Sequence, residues 1–275
     1  MWDKAKIVHF SDGRLAVSPG ATELDFLNAT EIAALIKSGE FKAGEKYFLG
    51  LDVLDSEPYF AWNSDHPKSQ SDDAPDGYAT LREIGGDLNE MQMELALHTV
   101  ALSNWHKTHP HCARCGAPTS VAMGGSVRKC DADQSEHYPR TDCAVIVLVR
   151  DADDRILLGR QPIWPEGRFS CFAGFLEPGE TFEQCVQREV YEESGVAVRE
   201  INYLGSQPWP FPASIMISFD AITDFPESAR PDGEEIVAIK WLSRDELKAE
   251  ISAGTLLLPP DISASRKMID RWLTA

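Results

Sequence analysis

Short hydrophobic runs separated by polar turns recur along this chain, and the pattern predicts a mixed α/β protein. In the N-terminal part, strand-like runs occur at 6–10, 46–51 and 58–62. Apolar residues at helical spacing predict a helix over 89–105. The segment 63–76 is polar and rich in Ser, Asp and Pro, which predicts a loop.

From residue 141 the strand pattern becomes stronger. Strands are predicted at 143–149, 155–159, 169–175, 201–206, 213–222 and 235–242. A last helix is predicted over 262–273, with Asp261 or Ser263 near its start.

The segment 174–196 contains the most informative spacing. After Gly174 come, at fixed intervals, Glu180, Arg188, Glu189, Glu192, Glu193 and Gly195. Thr181 and Gln184 predict a capping box at the start of a helix, and Gly195 suits the C′ position at its end.

On this helix Glu189, Glu192 and Glu193 are spaced i, i+3 and i+4, so their carboxylates share one face. Like charges at this spacing repel, and cations between them would remove the repulsion. A solvated surface helix is the alternative for a Glu-rich segment. Carboxylates behind a glycine-containing loop favour instead a Mg²⁺ or Mn²⁺ site for the attack of water on a diphosphate.

Composition and charge narrow the function classes. The chain has 275 residues, enough for two domains, and a formal net charge of −18. That charge argues against non-specific nucleic-acid binding. Without a secretory signal or an apolar run of membrane length, a cytoplasmic location is expected. The six cysteines include a C-x-x-C pair, which favours reduced thiols and a metal site over disulfides.

Cys112-x-x-Cys115, a Gly124-Gly125 turn and then Cys130 are typical of a zinc ribbon. The fourth ligand position holds Asp133 instead of a cysteine. Other candidates for that ligand are His137, His111 and Asp131. The alternative is a ribbon that keeps its fold with weakly bound metal or none.

Three prolines alternate with two aromatic residues in Ser206-Gln-Pro-Trp-Pro-Phe-Pro-Ala-Ser214. Each proline fixes φ, so the segment is predicted to be stiff and extended, with Trp209 and Phe211 on the same side. Such a platform suits stacking on a flat heterocycle such as nicotinamide or adenine. The alternative is a loop that packs its aromatic rings into a core or a subunit interface.

The spacing from Gly174 to Gly195 resembles the Nudix box of hydrolases that cleave a nucleoside diphosphate linked to another moiety. SQPWPFP-x-S just after it resembles the signature of the NADH pyrophosphatase branch, which also carries a zinc ribbon. The resemblance covers the whole chain and is most specific over 112–214. It implies a Nudix α/β/α sandwich at 141–275, a zinc-ribbon-like segment at 106–140 and an N-terminal α/β domain at 1–105.

For function, the resemblance implies hydrolysis of NADH or NAD-type dinucleotides to NMN(H) and AMP by a homodimer that uses Mg²⁺ or Mn²⁺. Some members of this branch also remove NAD caps from RNA. The alternatives are a broader hydrolase acting on ADP-ribose or FAD, and a non-catalytic dinucleotide sensor. No membrane partner is expected, and nucleic acid is expected only as a capped RNA substrate.

The resemblance also implies roles for individual residues. Glu189, Glu193 and the carbonyl of Ala173 match the metal ligands, Glu192 joins them or acts as base, and Glu235 matches a downstream acid. Arg188 is expected to orient a glutamate by bidentate pairing. A structural zinc is implied at Cys112, Cys115, Cys130 and Asp133. Substrate contacts are implied at Arg82, Tyr138, Phe175, Gln207, Pro208, Trp209, Pro210, Phe211, Pro212, Ala213, Ser214 and Ser265. Ser265 and Cys143 stand where the family usually has Ala and Pro.

Overall fold

The computed structural model describes residues 1–65 and 77–275, which form two compact units. The first comprises Met1–Arg140 together with Pro210–Ala213, and the second comprises Thr141–Trp209 and Ser214–Ala275. Most of the predicted loop at 63–76 lies outside the described residues. None of the described helices combines the length and the hydropathy needed to cross a membrane.

The first unit contains a mixed sheet with strand order β4-β5-β1-β2-β6, and β3 pairs with β1. Its strands are β1 Lys6–Ser11, β2 Arg14–Ala16, β3 Phe26–Leu27, β4 Glu45–Leu51, β5 Pro58–Asn63 and β6 Tyr78–Ala79. Its helices are α1 Ala29–Ser38, α2 Leu81–Ile84 and α3 Glu90–Thr108. The predicted strands at 6–10, 46–51 and 58–62 and the helix over 89–105 are confirmed.

A buried histidine lies at the centre of this unit. His9 is fully buried, its ring stacks on Trp62 with centroids 4.2 Å apart, and its Nδ1 lies 2.7 Å from the Tyr78 hydroxyl oxygen. Burial lowers the pKa of His9 to about 4 from its usual 6.5. The folded unit therefore holds the neutral ring at pH values where the unfolded chain binds a proton.

We expect His9→Gln to destabilise the protein less at pH 5 than at pH 7. Because the folded pKa lies below the unfolded one, stability contributed by neutral His9 is lost as the pH falls below 6.5, by about 2 kcal/mol at pH 5. Glutamine does not titrate, so the gap in thermal midpoint between variant and wild type should narrow on acidification. His111→Gln, at an exposed position, is the control. An equal gap at both pH values would contradict the prediction.

The ribbon strands are β7 Thr119–Ala122, β8 Val127–Cys130 and β9 Glu136–His137, paired in that order. Gly124 and Gly125 form the predicted turn, with φ of 65° and 96°. A Cβ on Gly125 would lie 2.7 Å from the Tyr47 ring, so this turn needs glycine for space as well as conformation. Beside it, Arg128 is buried and donates from Nε to the Thr119 hydroxyl at 2.7 Å.

The second unit is a sheet between two helical layers. Its strands are β10 Asp142–Arg150, β11 Ile156–Arg160, β12 Phe172–Phe175, β13 Arg199–Trp209, β14 Ser214–Ile222 and β15 Ala238–Leu242. Their order is β13-β14-β10-β11-β15, and β12 also pairs with β10. Its helices are α4 Phe182–Ser194, α5 Arg244–Ala253 and α6 Ala264–Thr274.

Alternation along β10 separates two cores. Val145 and Val147 pack with residues of α4 on one face, whereas Ile146 and Leu148 pack with residues of α5 and α6 on the other. The predicted α/β/α fold class is therefore confirmed. Cys143 is half-buried and packs against the core on the α4 side.

The structure differs from the sequence predictions at two places. The Pro-rich segment is extended only as far as Trp209, and 210–213 form the turn between β13 and β14. Pairing of Trp209 with Ser214 closes this hairpin, so the prediction of one extended platform is wrong. Strand β15 begins at Ala238, which leaves Glu235 in the preceding loop.

Candidate active site

Helix α4 begins and ends as its sequence predicts. Thr181 donates its backbone N–H to Gln184 Oε1 at 2.8 Å, and Gln184 donates its own N–H to the Thr181 hydroxyl at 3.2 Å. Gly195 adopts the left-handed conformation at the C-terminus, with φ of 70°. These caps fix the helical register and hence the direction of the glutamates.

Glu193 is the buried carboxylate of the helix. Glu193 is only 4% exposed, and its Oε2 has no hydrogen-bond partner among the described residues. Burial, followed by the charges of Glu235 and Glu189, raises the pKa of Glu193 to about 8. An ionised carboxylate in this buried setting raises the free energy of the folded state unless a cation compensates its charge.

Glu189 lies between α4 and strand β12. Burial is the largest cause that raises its pKa, while Arg188 acts in the opposite direction. A Cβ built on Gly174 would lie 1.8 Å from Cδ of Glu189, so only glycine leaves room for this carboxylate. The sequence pattern placed a glycine here, and the close approach explains why.

Arg188 holds the acids of the box together. It forms a bidentate pair with Glu180 at 2.6 and 2.8 Å. Its Nη1 donates to Glu189 at 2.7 Å and to the exposed Glu192 at 3.2 Å. The Arg188 pairing lowers the pKa of Glu180 to about 2. The guanidinium thus supplies positive charge to Glu180, Glu189 and Glu192.

Two residues that the sequence did not single out position Glu235. Asp232 accepts the backbone N–H groups of Glu235 and Ile236 at 3.2 and 2.7 Å. Burial opposes ionisation of Asp232, but these N–H donors lower its pKa. Gln161 donates Nε2 to Glu235 Oε1 at 3.2 Å. The D-G-E-E turn was the available sequence signal for Asp232, whereas Gln161 comes from a distant loop.

The carboxylates described above do not converge on one point. Within residues 1–65 and 77–275, sets of three or more ligand atoms within 4.8 Å of one another occur only in the ribbon. Glu189 and Glu192 are held by Arg188 instead. The unpartnered oxygen of Glu193, the space reserved by Gly174 and the hard oxygen donors nevertheless fit Mg²⁺ or Mn²⁺.

The ribbon set comprises Cys112, Cys115, Cys130 and Asp133. Sγ of Cys115 and Cys130 are 3.6 Å apart, and Cys112 Sγ is 3.9 Å from Asp133 Oδ2. Ser135 donates its hydroxyl to Asp133 at 2.5 Å and its N–H at 2.9 Å, which lowers the pKa of Asp133 to about 2. Three thiols and an ionised carboxylate this close fit a tetrahedral zinc site.

The other candidates for the fourth zinc ligand are placed differently. His137 Nε2 lies 3.2 Å from Cys112 Sγ, at the margin of the set. Asp131 instead accepts the Ser120 hydroxyl at 2.8 Å. His111 forms a backbone bridge with Pro118. Asp133 is therefore the residue that the fold presents to the three thiols.

The family can now be assigned. A NUDIX domain matches residues 140–269, and an NADH pyrophosphatase zinc ribbon domain matches residues 107–138. The chain belongs to the Nudix family. The family resemblance stated from the sequence is thereby confirmed, and the carboxylates of α4 are those of the Nudix box.

Two named relatives resemble more than two thirds of this chain. The chain is 43% identical over 208 residues to the NAD-capped RNA hydrolase NudC of Mycobacterium bovis, covering 73% of this chain and 66% of that protein. It is 35% identical over 198 residues to the human NAD-capped RNA hydrolase NUDT12, covering 68% and 43%. The match thus spans just under two thirds of the mycobacterial relative. A solved NUDIX hydrolase from Nitrosomonas europaea aligns at 22% identity and TM-score 0.42, covering 54% of this chain and 96% of that one.

The candidate substrate residues of the Nudix domain lie around β12, β13 and α6. Phe175, at the end of β12, is 57% exposed, so its ring is open to a ligand. Gln207 donates Nε2 to the Ile262 carbonyl at 2.7 Å, while its Oε1 is buried without a partner among the described residues. Ser265 is buried and accepts the Cys171 N–H at 3.0 Å. Its hydroxyl is therefore engaged within the domain.

Arg82, Tyr138 and the turn residues 210–213 belong to the first unit, whereas Pro208, Trp209 and Ser214 belong to the second. The Arg82 guanidinium lies over the Phe211 ring, 4.0 Å from its centroid. Asn104, which the sequence did not single out, donates Nδ2 to the Pro210 carbonyl at 2.9 Å. Tyr138 is exposed and donates its hydroxyl to Glu136 at 2.9 Å. Arg82 and the Pro-rich turn, far apart in sequence, are thus brought together.

Gly174→Ala is expected to lower kcat/KM for the substrate by roughly 100-fold, because a displacement of Glu189 by about 1 Å is enough to misplace a reacting group. The new methyl cannot coexist with the Glu189 carboxylate. Gly86→Ala, where an added Cβ would meet nothing within 4 Å, is the matched control. Wild-type kinetics for Gly174→Ala would show that Glu189 has no catalytic placement to lose.

Proposed function

We propose that this chain hydrolyses the diphosphate bond of NADH and NAD⁺-type dinucleotides, giving NMN(H) and AMP, and also removes NAD caps from RNA. The observation that carries the proposal is the buried Glu193 carboxylate with an unpartnered oxygen beside the other box acids. The names of the NudC and NUDT12 relatives support the NAD-type substrate. The zinc ribbon domain, described as that of NADH pyrophosphatases, supports the same branch.

Glu189, Glu193, Glu235 and the Ala173 carbonyl would hold Mg²⁺ or Mn²⁺. When bound, such ions supply positive charge to the diphosphate oxygens and make water more acidic. The net charge of −18 makes this compensation necessary, because an acidic protein otherwise repels a dinucleotide.

Different protein groups then accept the proton and orient the carboxylates. Water attacks one phosphorus, a new P–O bond forms, and the bond to the bridging oxygen breaks. Glu193 or Glu192 takes the proton from the water, and the leaving mononucleotide departs with the bridging oxygen as phosphate. Glu192 is the more exposed of the two and pairs with Arg188, whereas Glu193 is buried. Arg188 keeps Glu189 oriented through the 2.7 Å hydrogen bond.

Recognition of the nicotinamide end is assigned to the hairpin of β13 and β14. We assign Gln207 Oε1, which lacks a partner among the described residues, as the acceptor for the carboxamide. Phe175 offers an exposed ring for stacking on a base. Arg82, Tyr138, Trp209, Phe211 and Ser214 complete the proposed contacts, and Ser265 acts by holding Cys171 rather than by contacting substrate.

We also infer a homodimer and a cytoplasmic location. The first rests on the family resemblance of the Pro-rich turn. The second is supported by the free cysteines, which suit a reducing compartment.

The decisive experiment compares kcat/KM for NADH, NAD⁺, ADP-ribose, FAD and an NAD-capped oligonucleotide on one preparation, with Mg²⁺ or Mn²⁺. Release of AMP and NMN(H), with NAD-type substrates preferred, is expected. Preference for ADP-ribose or FAD would identify a broader hydrolase instead. Tight dinucleotide binding with no cleavage under either ion would identify a sensor and refute the proposal.

A further inference from the structure

A cavity lies in the Nudix domain, on the face that carries α5 and α6. Its volume is about 720 Å³, and it is lined by Arg160, Glu166, Gly167, Phe169, Gly254 and Thr255. Phe169 donates its N–H to the Leu257 carbonyl at 3.1 Å, which ties the loop before β12 to the segment after α5. None of the box acids lines this cavity.

Strand register places a second cation next to Arg160. In the β11 and β15 pair, Arg160 is opposite Ala238 and Leu158 is opposite Lys240. Opposed residues share a face, so Arg160 and Lys240 are diagonal neighbours on the side of the α5 and α6 core. Lys240 is compensated by a salt bridge to Glu250 and lies 5.1 Å from the Phe169 ring centroid.

Arg160 is not compensated in this way. Its Nη2 makes a 3.4 Å hydrogen bond to the Trp164 carbonyl, and its buried Nε has no partner among the described residues. No carboxylate of the described chain lies within ion-pair distance of it. Six arginines of the same unit are ion-paired, namely Arg150, Arg155, Arg188, Arg199, Arg244 and Arg266. Arg168, Arg230 and Arg271 likewise form no ion pair within the described residues, but they do not line this cavity.

The chain carries a net charge of −18. Even so, a half-buried guanidinium beside a cavity favours the binding of an anion. Its fork of donors matches phosphate oxygens. The site is also connected to the catalytic loop, because the Arg160 carbonyl accepts the Val237 N–H at 2.9 Å and the next residue, Gln161, hydrogen-bonds Glu235.

We propose that the Arg160 cavity binds a phosphate group other than the diphosphate being cleaved. This inference rests on the proposed function. The phosphate is either the phosphodiester that follows the adenosine of a capped RNA or the phosphate of a free mononucleotide product. Arg160 donates to its oxygens.

The test compares wild type, Arg160→Gln, Arg160→Lys and the charge-matched control Lys37→Gln, which changes an exposed lysine of α1. For each, kcat/KM is measured with an NAD-capped oligonucleotide and with NADH, and the Ki of AMP is measured with NADH. Binding of inorganic phosphate is measured by calorimetry, which does not need turnover. Losing a charge-assisted hydrogen bond should weaken the affected step about tenfold or more.

A tenfold loss on the capped oligonucleotide, with NADH unchanged, supports the site and identifies RNA as the source of the phosphate. A tenfold rise in the Ki of AMP, with both substrates unchanged, supports the site and identifies the mononucleotide. Arg160→Lys should recover part of either effect, which a folding defect would not allow. Unchanged values for every probe, or a uniform loss of kcat with a lowered thermal midpoint, would overturn the inference. Cleavage of neither substrate by wild type would refute the proposed function, and phosphate calorimetry would still decide the site.

Discussion

Glu193→Gln is expected to lower kcat by roughly 10²–10⁴-fold, because it removes the buried carboxylate from the proposed metal and proton chemistry. The amide has nearly the same shape, and the side chain it replaces is a buried acid whose pKa is raised to about 8. Removing an acid whose ionisation that environment disfavours should leave the thermal midpoint unchanged or higher. The measurement pairs single-turnover kinetics on NADH with a thermal melt.

Glu183→Gln serves as the matched control. Glu183 lies in the first turn of the same helix, is exposed, and forms no ion pair with Arg188. It should retain wild-type turnover. If Glu193→Gln also turned over normally, the assigned role of Glu193 would be wrong and another acid would have to carry the chemistry.

Cys130→Ser is expected to abolish stoichiometric zinc and to unfold the ribbon locally. Structural zinc in small ribbons contributes on the order of 10 kcal/mol to folding at neutral pH, and the Cys130 thiol is fully buried next to Cys115. Elemental analysis of the purified protein should find one zinc per chain in wild type. Hydrogen exchange of β7 and β8 should accelerate strongly in the variant.

Cys143→Ser, outside the ribbon, is the control and should keep its zinc. Asp133→Cys should also keep zinc, because it restores a fourth thiolate at a position that already faces the other three. Wild-type protein that contains no zinc, yet protects the ribbon amides from exchange, would mean that the ribbon folds by packing alone.

Features set by local sequence were accessible without a structure. The start and end of α4 depend on neighbouring residues, so Thr181, Gln184 and Gly195 predicted them correctly. Helix α5 begins with the same kind of capping box, between Ser243 and Glu246, and this signal could have located it. Strand β10 was predicted because burial on both faces gives a continuous apolar run.

Features set by distant contacts were not accessible. Gln161 reaches Glu235 across 74 positions of sequence, and no spacing rule connects them. In the Pro-rich segment, pairing of β13 with β14 requires a turn where proline stiffness alone predicted extended chain. The inward hydrogen bonds of Ser265 depend on where α6 meets the start of β12.

The Arg188 network has a consequence for how this protein responds to its supply of divalent ions. One guanidinium already satisfies Glu180 and restrains Glu189, so the acidic helix carries an internal counter-ion from the moment it folds. The protein can therefore fold before magnesium or manganese binds. We therefore expect dialysis into buffer free of those two ions to switch turnover off reversibly, with the dormant protein returning to full rate as soon as the ion is restored.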